Sequence, residues 1–130
     1  MGAFDMLRIA NTSLGMHQTW LDALAHNIAN AGTVTSTDRP AFQAQLVVAE
    51  ARTDGGVDVA GIELGSAEGI LTYSPDHPLA DADGMVRAAD VDMSAQMTNL
   101  IMAQRGFQAS VQVTKTAQDT YNTALQIGKG

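Results

Sequence analysis

The sequence has no cysteine, few aromatic residues and no run of basic residues. Without cysteine the chain can form neither disulfides nor thiolate metal sites, and a cysteine nucleophile is excluded. Lys and Arg number 7 against 14 Asp and Glu, so the chain lacks the basic surface that binds nucleic-acid phosphates. The first residues lack a basic stretch followed by an apolar one, and no window is apolar enough to span a membrane. We therefore expect no nucleic-acid partner, no cleaved secretory signal and no membrane span.

Residues 1–30 carry apolar side chains at every seventh position, which predicts one long helix. The first line of this repeat consists of Leu7, Leu14, Leu21 and Ile28. A second line beside it consists of Ala3, Ala10, His17, Leu24 and Ala31. The polar His17 is expected to lie in a helix interface and to fix its register. Asn27, Asn30 and Gly32 tolerate the left-handed conformation that closes a helix, so the helix should end near Asn30.

The same spacing returns in the last third of the chain and predicts a second helix from Met93 to about Ile127, with Asp92 as its N-cap. Its large apolar lines consist mainly of Met93, Leu100, Phe107 and Tyr121, followed by Met97, Val111 and Leu125. A third line is uniformly small, and it consists of Ala103, Ser110, Ala117 and Ala124. Small side chains would let another helix backbone approach closely. Gly15 and Gly106 lie inside the two helices. Each glycine either allows the same close helix packing or is simply tolerated despite its low helix propensity.

Between the helices the apolar period changes from about 3.6 residues to about 2, which indicates short strands. The candidates are residues 46–48, 57–59, 62–64 and 69–73, and a shift of phase at Ala60 and Gly61 predicts a β-bulge. A turn-rich segment follows before the second helix. The predicted fold is α+β and mainly α. Long N- and C-terminal helices form a coiled-coil-like axial domain, residues 1–34 and 85–130, and a small β-rich unit, residues 35–84, is inserted between them.

No group of residues forms a convincing chemical site. Asp81, Asp83 and Gly84 resemble part of a calcium loop, but the glycine comes too early and Met85 occupies a ligand position, so an ordinary turn explains them better. No motif groups the three histidines, which are His17, His26 and His77. The serines lack a nucleophile motif, and no phosphate-binding glycine loop occurs. The sequence therefore predicts no catalytic residue, no metal and no cofactor.

Three segments resemble the flagellar axial proteins, the family that forms the rod and hook of the bacterial flagellum. Residues 21–33, LDALAHNIANAGT, are similar to the N-terminal motif of that family. Residues 73–86, YSPDHPLADADGMV, resemble more narrowly the proximal rod subunits. Residues 103–110, AQRGFQAS, are similar to the family's C-terminal helix motif. The three segments occur in the family's order along the chain.

This resemblance implies a structural subunit rather than an enzyme. Such a subunit is exported unfolded through the flagellar type III apparatus without a cleaved signal. It then polymerises helically across the periplasm into the basal-body rod, which transmits torque for motility, and its terminal helices form the inner tube wall. The implied partners are other copies of the chain, the rod proteins FlgB, FlgF and FlgG, the adaptor FliE and the export apparatus.

The assembly interface is expected on the apolar lines of both helices and on the asparagines near the end of the first. It comprises Leu7, Leu14, Leu21, Leu24, Asn27, Ile28, Asn30, Met93, Met97, Leu100, Phe107, Val111, Tyr121 and Leu125. Two such helices exceed what the small β-rich unit can cover. Residues 1–30 and 93–130 are therefore expected to be largely mobile in an isolated subunit and to gain order on assembly.

Other functions stay open from the residues alone. Another rod or hook subunit would share the first and third of the family segments. A small enzyme that acts on peptidoglycan would use Asp81, Asp83 or Asp92 as acid and base, which requires an environment that separates their pKa values. A soluble adaptor or export chaperone would form a defined small oligomer with folded helices.

Overall fold

The computed structural model describes residues 2–130 and shows an α+β fold that is mainly helical, as the sequence predicts. Met1, with which the predicted axial domain begins, lies outside the described residues, as does the side chain of Ala3. The elements follow in the order α1 (Ala3–Asn30), β1 (Val34–Thr35), β2 (Gln45–Ala51), β3 (Val57–Leu64), β4 (Ile70–Tyr73), β5 (Met85–Ala88) and α2 (Met93–Ile127).

The first helix ends and the second begins where the sequence predicts, although the first ends by a different mechanism. Asp92 caps α2, since its carboxylate accepts a hydrogen bond from the Ala95 N–H at 3.1 Å. The predicted left-handed closure of α1 is wrong, because Gly32 does not have a positive φ and Ala31 stays right-handed at φ −60°. The end of α1 therefore does not depend on a glycine turn.

The two helices pack against each other as an antiparallel pair. The hydrogen bonds between them show the direction: the end of α1 meets the start of α2, where Asn27 bonds to Gln96, and an earlier residue of α1, Ser13, bonds to a later residue of α2, Ser110. The buried residues of α2 are all small, and they are Ala103, Ser110 and Ala117. This confirms the predicted close approach at three of the four positions of the third line of α2, whereas the fourth, Ala124, is exposed. The partner of this small line is α1 of the same chain, whereas the mobility predicted for the isolated subunit stays a prediction.

The strands form two separate antiparallel sheets. β2 and β3 pair as a hairpin, and their register shifts so that Ala60 is left unpaired, which confirms the bulge predicted there. In the other sheet β5 lies between β1 and β4. Neither β1 nor β5 is predicted from the sequence, because strands of two and four residues show too little alternation. Residues 85–88, which follow the predicted β-rich unit, pair with β4.

The β2–β3 hairpin lies across α1 and is bonded to it near both of its ends. At the open end, the Asn27 side chain bonds to the main chain of Gln45 in β2. Near the turn, the Val57 N–H of β3 donates to the Thr12 hydroxyl at 3.1 Å. The hairpin therefore presents the edge of β2 to α1 at one end and the edge of β3 at the other.

The turn of this hairpin fits closely against the first half of α1. The Arg8 guanidinium donates to the Asp54 carboxylate at 2.9 Å and to the Asp54 carbonyl at 2.6 Å. Gly56 has φ +100°, and a Cβ there would stand 2.5 Å from the Thr12 hydroxyl oxygen. The turn therefore needs glycine both for its backbone conformation and for its approach to the helix.

The buried core is small and consists mostly of alanine. Its apolar residues are Ala10, Ala23, Leu24, Ala41, Val86, Ala89, Ala103 and Ala117. Many large apolar side chains of both helices and strands are exposed instead. Within residues 2–130, no helix is long and apolar enough to cross a membrane. Much of the large apolar surface therefore lies outside the core.

We expect amide exchange in the isolated subunit to divide α2 into a protected part and an open end. Residues 96–117 should exchange slowly because α1 covers their buried face. Residues 118–127 should exchange fast because every side chain in that segment is exposed. Mass spectrometry of peptides from a verified monomer measures both rates. Fast exchange along the whole of α2 would contradict the packing of α2 against α1.

Candidate assembly interface

Asn27 connects three elements of the fold through one buried side chain. Only 1% of its surface is exposed. Its amide nitrogen donates to the Gln45 carbonyl at 2.8 Å and to the Gln96 side-chain oxygen at 3.0 Å, and its oxygen accepts from the Gln45 N–H at 2.7 Å. The side chain thereby ties α1 to β2 and to α2. Because an unsatisfied buried polar group costs about 1–3 kcal/mol, these bonds fix the relative position of the three elements.

A short polar network crosses the helix interface further along α1. The Ser110 hydroxyl donates its proton to the Gly106 carbonyl at 2.9 Å, so the Ser13 hydroxyl must be the donor in the 2.8 Å bond between the two serines. The His17 Nδ1 atom lies 2.8 Å from the Ser13 carbonyl oxygen, which can only accept, so Nδ1 carries a proton. The imidazole is therefore oriented as a donor toward Ser13, and it cannot take a proton from that hydroxyl through Nδ1.

Gly106 allows the two helices to approach at His17. A Cβ at Gly106 would fall on the Nε2 side of the His17 ring. This position therefore requires glycine for space, and His17 lies in the helix interface as the sequence predicts. Gly15 is different, since nothing lies within 4 Å of the position that its Cβ would take. Of the two helix glycines, only Gly106 is explained by close packing.

The structure divides the predicted interface residues by their exposure. Leu24 and Asn27 are buried within the subunit. The half-buried positions are Leu7, Leu14, Leu21, Ile28, Asn30, Leu100, Phe107 and Val111. The exposed positions, with 38–48% of their surface accessible, are Met93, Met97, Tyr121 and Leu125. The structure therefore does not gather all of these residues in one contact inside a single subunit.

α2 uses different faces toward α1 and toward solvent. Ala103 and Ala117 have no exposed surface, so the small line faces α1. Met97 and Leu125, on a large apolar line, remain 46% and 48% exposed. Within the described part of the chain, the large apolar side chains of α2 are therefore only partly covered by the fold itself.

Some residues that hold the helices in place are not predicted from the sequence. Arg8 and Thr12 bond to the turn of the β2–β3 hairpin, which lies about forty-five residues away along the chain. Ser13 bonds to Ser110 across a separation of 97 residues. The heptad repeat places such residues on a helix face, but it carries no signal for which distant loop or helix they meet.

The Asp81 side chain organises a tight turn rather than an acid–base site. One carboxylate oxygen accepts from the N–H groups of Asp83 and Met85, each at 2.9 Å, and the other accepts from the Thr37 hydroxyl at 2.8 Å. The Met85 N–H and, next, the Thr37 hydroxyl hold the pKa of the Asp81 carboxyl below its usual range. Gly84, at φ +75°, completes the turn. Asp81 is therefore an exposed acceptor that stays ionised near neutral pH.

The carboxylates that the enzyme hypothesis requires have separate roles. Asp81 shapes the turn, Asp92 caps α2, and Asp83 is exposed. Across residues 2–130, no three His, Asp or Glu side chains come close enough together to hold a metal ion. The arrangement supports turn and helix geometry, and it does not form a buried acid–base pair.

Comparison with known proteins shows similarity to flagellar rod subunits over the whole chain. The family described as "Flagellar basal body rod FlgEFG protein C-terminal" matches residues 82–127. The flagellar basal-body rod protein FlgC of Yersinia enterocolitica is 35% identical, and that of Salmonella typhimurium is 34% identical; each alignment covers 99% of this chain and 100% of the relative. FlgC of Borreliella burgdorferi is 26% identical over the full length of both chains.

Replacing each helix glycine with alanine should have opposite effects on stability. Gly106→Ala should lower the free energy of unfolding by up to about 2 kcal/mol, because the overpacking cost of about 1–3 kcal/mol against His17 is offset by a helix-propensity gain of about 1 kcal/mol. Gly15→Ala should raise it by about 0.5–1 kcal/mol, because its Cβ enters open space. Chemical denaturation measures both, and adding His17→Ala should relieve the Gly106→Ala variant. Equal effects of the two alanines would contradict the His17 contact.

Gly84→Val should destabilise the acidic turn, whereas Asp81→Asn should preserve it. A Cβ at Gly84 would meet Tyr73 at 2.9 Å and Pro75 at 3.0 Å, in a backbone conformation that resists branched side chains. Asn keeps an oxygen for the two N–H bonds, so motility should remain nearly normal. Loss of swimming with Asp81→Asn but not with Gly84→Val would support acid–base chemistry instead.

The lowered pKa of Asp81 adds a pH test. Its bonds stabilise the fold above the usual Asp pKa of about 3.9 and are lost as the pH falls through the lower folded value. Unfolding of the Asp81→Asn variant should therefore depend less on pH in this acidic range.

Proposed function

Since the chain belongs to the FlgC family of flagellar basal-body rod proteins and is a structural subunit of that rod, we propose that it polymerises helically through its terminal helices. The polymer forms the proximal part of the rod and transmits torque across the periplasm. Of the fourteen predicted interface residues, Leu24 and Asn27 are buried inside the subunit, and the other twelve remain the proposed contact set. The exposure of large apolar side chains on α2, beside a small-residue face that is already covered by α1, carries this proposal.

Burial of these side chains between copies would supply the driving force. Fully burying a Leu or Met side chain contributes about 1.5–3 kcal/mol. Met93, Met97, Tyr121 and Leu125 keep 38–48% of their surface exposed in the single subunit, so each has a substantial part of this contribution still to gain. Several such contacts, repeated along a helical assembly, favour the polymer over the free chain.

The lengths of the helices also favour contacts between copies. Ser13 lies level with Ser110, and ten residues separate Ser13 from the described start of α1 at Ala3. The same ten residues from Ser110 reach position 120, whereas α2 continues to Ile127. The last part of α2, about 10 Å long, thus extends past the described start of α1 and carries Leu125 and Ile127.

We propose no catalytic role for the chain. Ser13 donates its proton to Ser110, and the His17 nitrogen that faces Ser13 is protonated, so the Ser13–His17 contact is not arranged as nucleophile and base. The Asp81 and Asp92 carboxylates are occupied by main-chain N–H groups. These bonds support a scaffold in which the polar groups maintain structure.

The remaining expectations extend this proposal. The subunit is exported through the flagellar type III apparatus without a cleaved signal. Its small alanine-rich core gives a low free energy of unfolding, which favours export as an unfolded chain. Its partners are further copies, FlgB, FlgF, FlgG and FliE. The proposed axial domain is residues 1–34 and 85–130, and the proposed inserted β-rich unit is residues 35–84, with β5 pairing to β4 across this boundary.

Asp substitution at exposed apolar positions of α2 should separate assembly from folding. Met97→Asp and Leu125→Asp alter solvent-exposed side chains, so the free energy of unfolding of the monomer should change by less than about 1 kcal/mol. In the rod, each places an unpaired charge in a buried contact, which is strongly unfavourable. We expect normal export, loss of swimming and loss of rods from isolated basal bodies.

Thr116→Asp is the matched control, because it introduces the same charge at an exposed polar position of the same helix. It should leave swimming unchanged. Normal swimming with both Met97→Asp and Leu125→Asp would remove these residues from the interface. Substituting half-buried members, Leu21, Ile28, Leu100 or Phe107, with Asp should also prevent motility, but those variants need the stability measurement to separate a folding defect.

A further inference from the structure

Two exposed surfaces of the chain carry charged side chains of opposite sign that have no ion-pair partner in the described residues. Within residues 2–130, the ion pairs join Arg8 to Asp54 and Arg52 to Asp54 and Asp58. Outside these pairs, two bases, Arg105 and Lys115, stand exposed on α2. Several unpaired acids stand on the strands and loops between the helices. A single chain therefore carries two surfaces of opposite sign.

The basic surface is the side of α2 that faces away from α1. At about 100° per residue, its members fall within an arc about 80° wide, opposite the buried line of Ala103, Ser110 and Ala117. This outer stripe consists of Met97, Ile101, Arg105, Gln108, Gln112 and Lys115, all of them exposed. The next exposed side chain on this face is Asp119, one turn beyond Lys115, so the basic part of the stripe ends at Lys115. Two apolar side chains and two bases thus share one exposed helix face.

The acidic surface is one face of the β2–β3 hairpin. Leu46, Val48 and Glu50 alternate along β2, and their register partners Glu63, Gly61 and Asp58 lie on the same face. This acidic face is largely exposed, with Leu46 at 58%. Arg52 holds the Asp58 carboxylate, whereas Glu50 and Glu63 have no ion-pair partner in the described part of the chain.

The spacing of the charges matches between the two surfaces. Arg105 and Lys115 are ten helical residues apart, which is about 15 Å along α2. Glu63 lies opposite Leu46, four strand positions from Glu50, which is about 13 Å along the hairpin. Two bases can therefore meet two acids at once, with apolar side chains of both surfaces near them.

We propose that the outer stripe of one copy docks on the acidic face of a second copy. The proposal rests on the proposed polymerisation and names two of the surfaces that it uses. Because the surfaces differ and lie on different elements, the contact is heterologous. Heterologous contacts build rings when the rotation between copies closes and open helical assemblies when it does not, and the proposed rod corresponds to the open case. The complementary charge and matched spacing identify a second copy as the occupant.

Charge reversal tests the contact without assuming the direction in which the hairpin lies. Arg105→Glu with Lys115→Glu should abolish swimming, and so should Glu50→Lys with Glu63→Lys, because each places like charges opposite one another. All four substitutions together restore the complementarity and should restore swimming. Two control pairs change net charge equally outside both surfaces: Arg39→Glu with Lys129→Glu, and Glu68→Lys with Asp76→Lys. Both control pairs should swim normally.

A disulfide test covers the case in which the fourfold variant fails for another reason. The chain has no native cysteine, so Gln108→Cys and Gly61→Cys, near the middle of the two surfaces, form the only thiols. A Cβ at Gly61 meets nothing within 4 Å. Oxidised rods should contain chains linked in ladders, whereas Gln108→Cys with Leu71→Cys should give none.

The outcomes separate the two proposals. Normal swimming of both reversed pairs would overturn the docking contact, and so would swimming cells of the Gly61→Cys, Gln108→Cys variant whose oxidised rods lack the ladder. The rod itself would still contain the chain in either case. Isolated rods that lack the chain altogether would instead overturn the function on which the contact rests. Restored swimming or the specific ladder supports the contact.

Discussion

The close approach of α1 to α2 is the constraint on which the other features of the molecule depend. Ala103 and Ala117 have no exposed surface, and Gly106 leaves room for the His17 ring, so the backbones meet over small side chains. A seam of small residues covers only a narrow strip of α2. The larger apolar residues fall beside this strip and stay partly in solvent. The internal seam thereby decides which side chains remain for assembly.

Directional bonds define much of the geometry, because the core is poor in large apolar groups. The Asn27 side chain bonds to β2 and α2 together, and few other arrangements would satisfy its amide inside the protein. Ser13 and Ser110 add a second cross-link between the helices. An alanine-rich seam alone would allow the helices to slide along each other. The polar contacts select one register.

The sequence predicts local features of this fold well and distant pairings poorly. The heptads, the Asp92 cap and the phase shift at Ala60 have causes within a few residues, so the helices and the bulge are recognisable in the chain. The sequence alone does not show which face of α2 packs against α1. Large and small lines share the same seven-residue period, and the period does not say which line meets α1. The same limit applies to the turn of Asp54, whose helix partner Arg8 is distant in sequence.

The attachment of the hairpin at two points on α1 has a mechanical consequence. Thr12 and Asn27, which hold its two ends, are separated by about 22 Å of helix. A ribbon fixed at one end could swing, whereas a ribbon fixed at both ends must stretch or shear its bonds when the helix bends. The β2–β3 hairpin therefore stiffens the part of α1 between Thr12 and Asn27. We expect the resistance of α1 to bending to come mainly from the attachment of the β2–β3 hairpin at both of its ends, because the hydrophobic core is small.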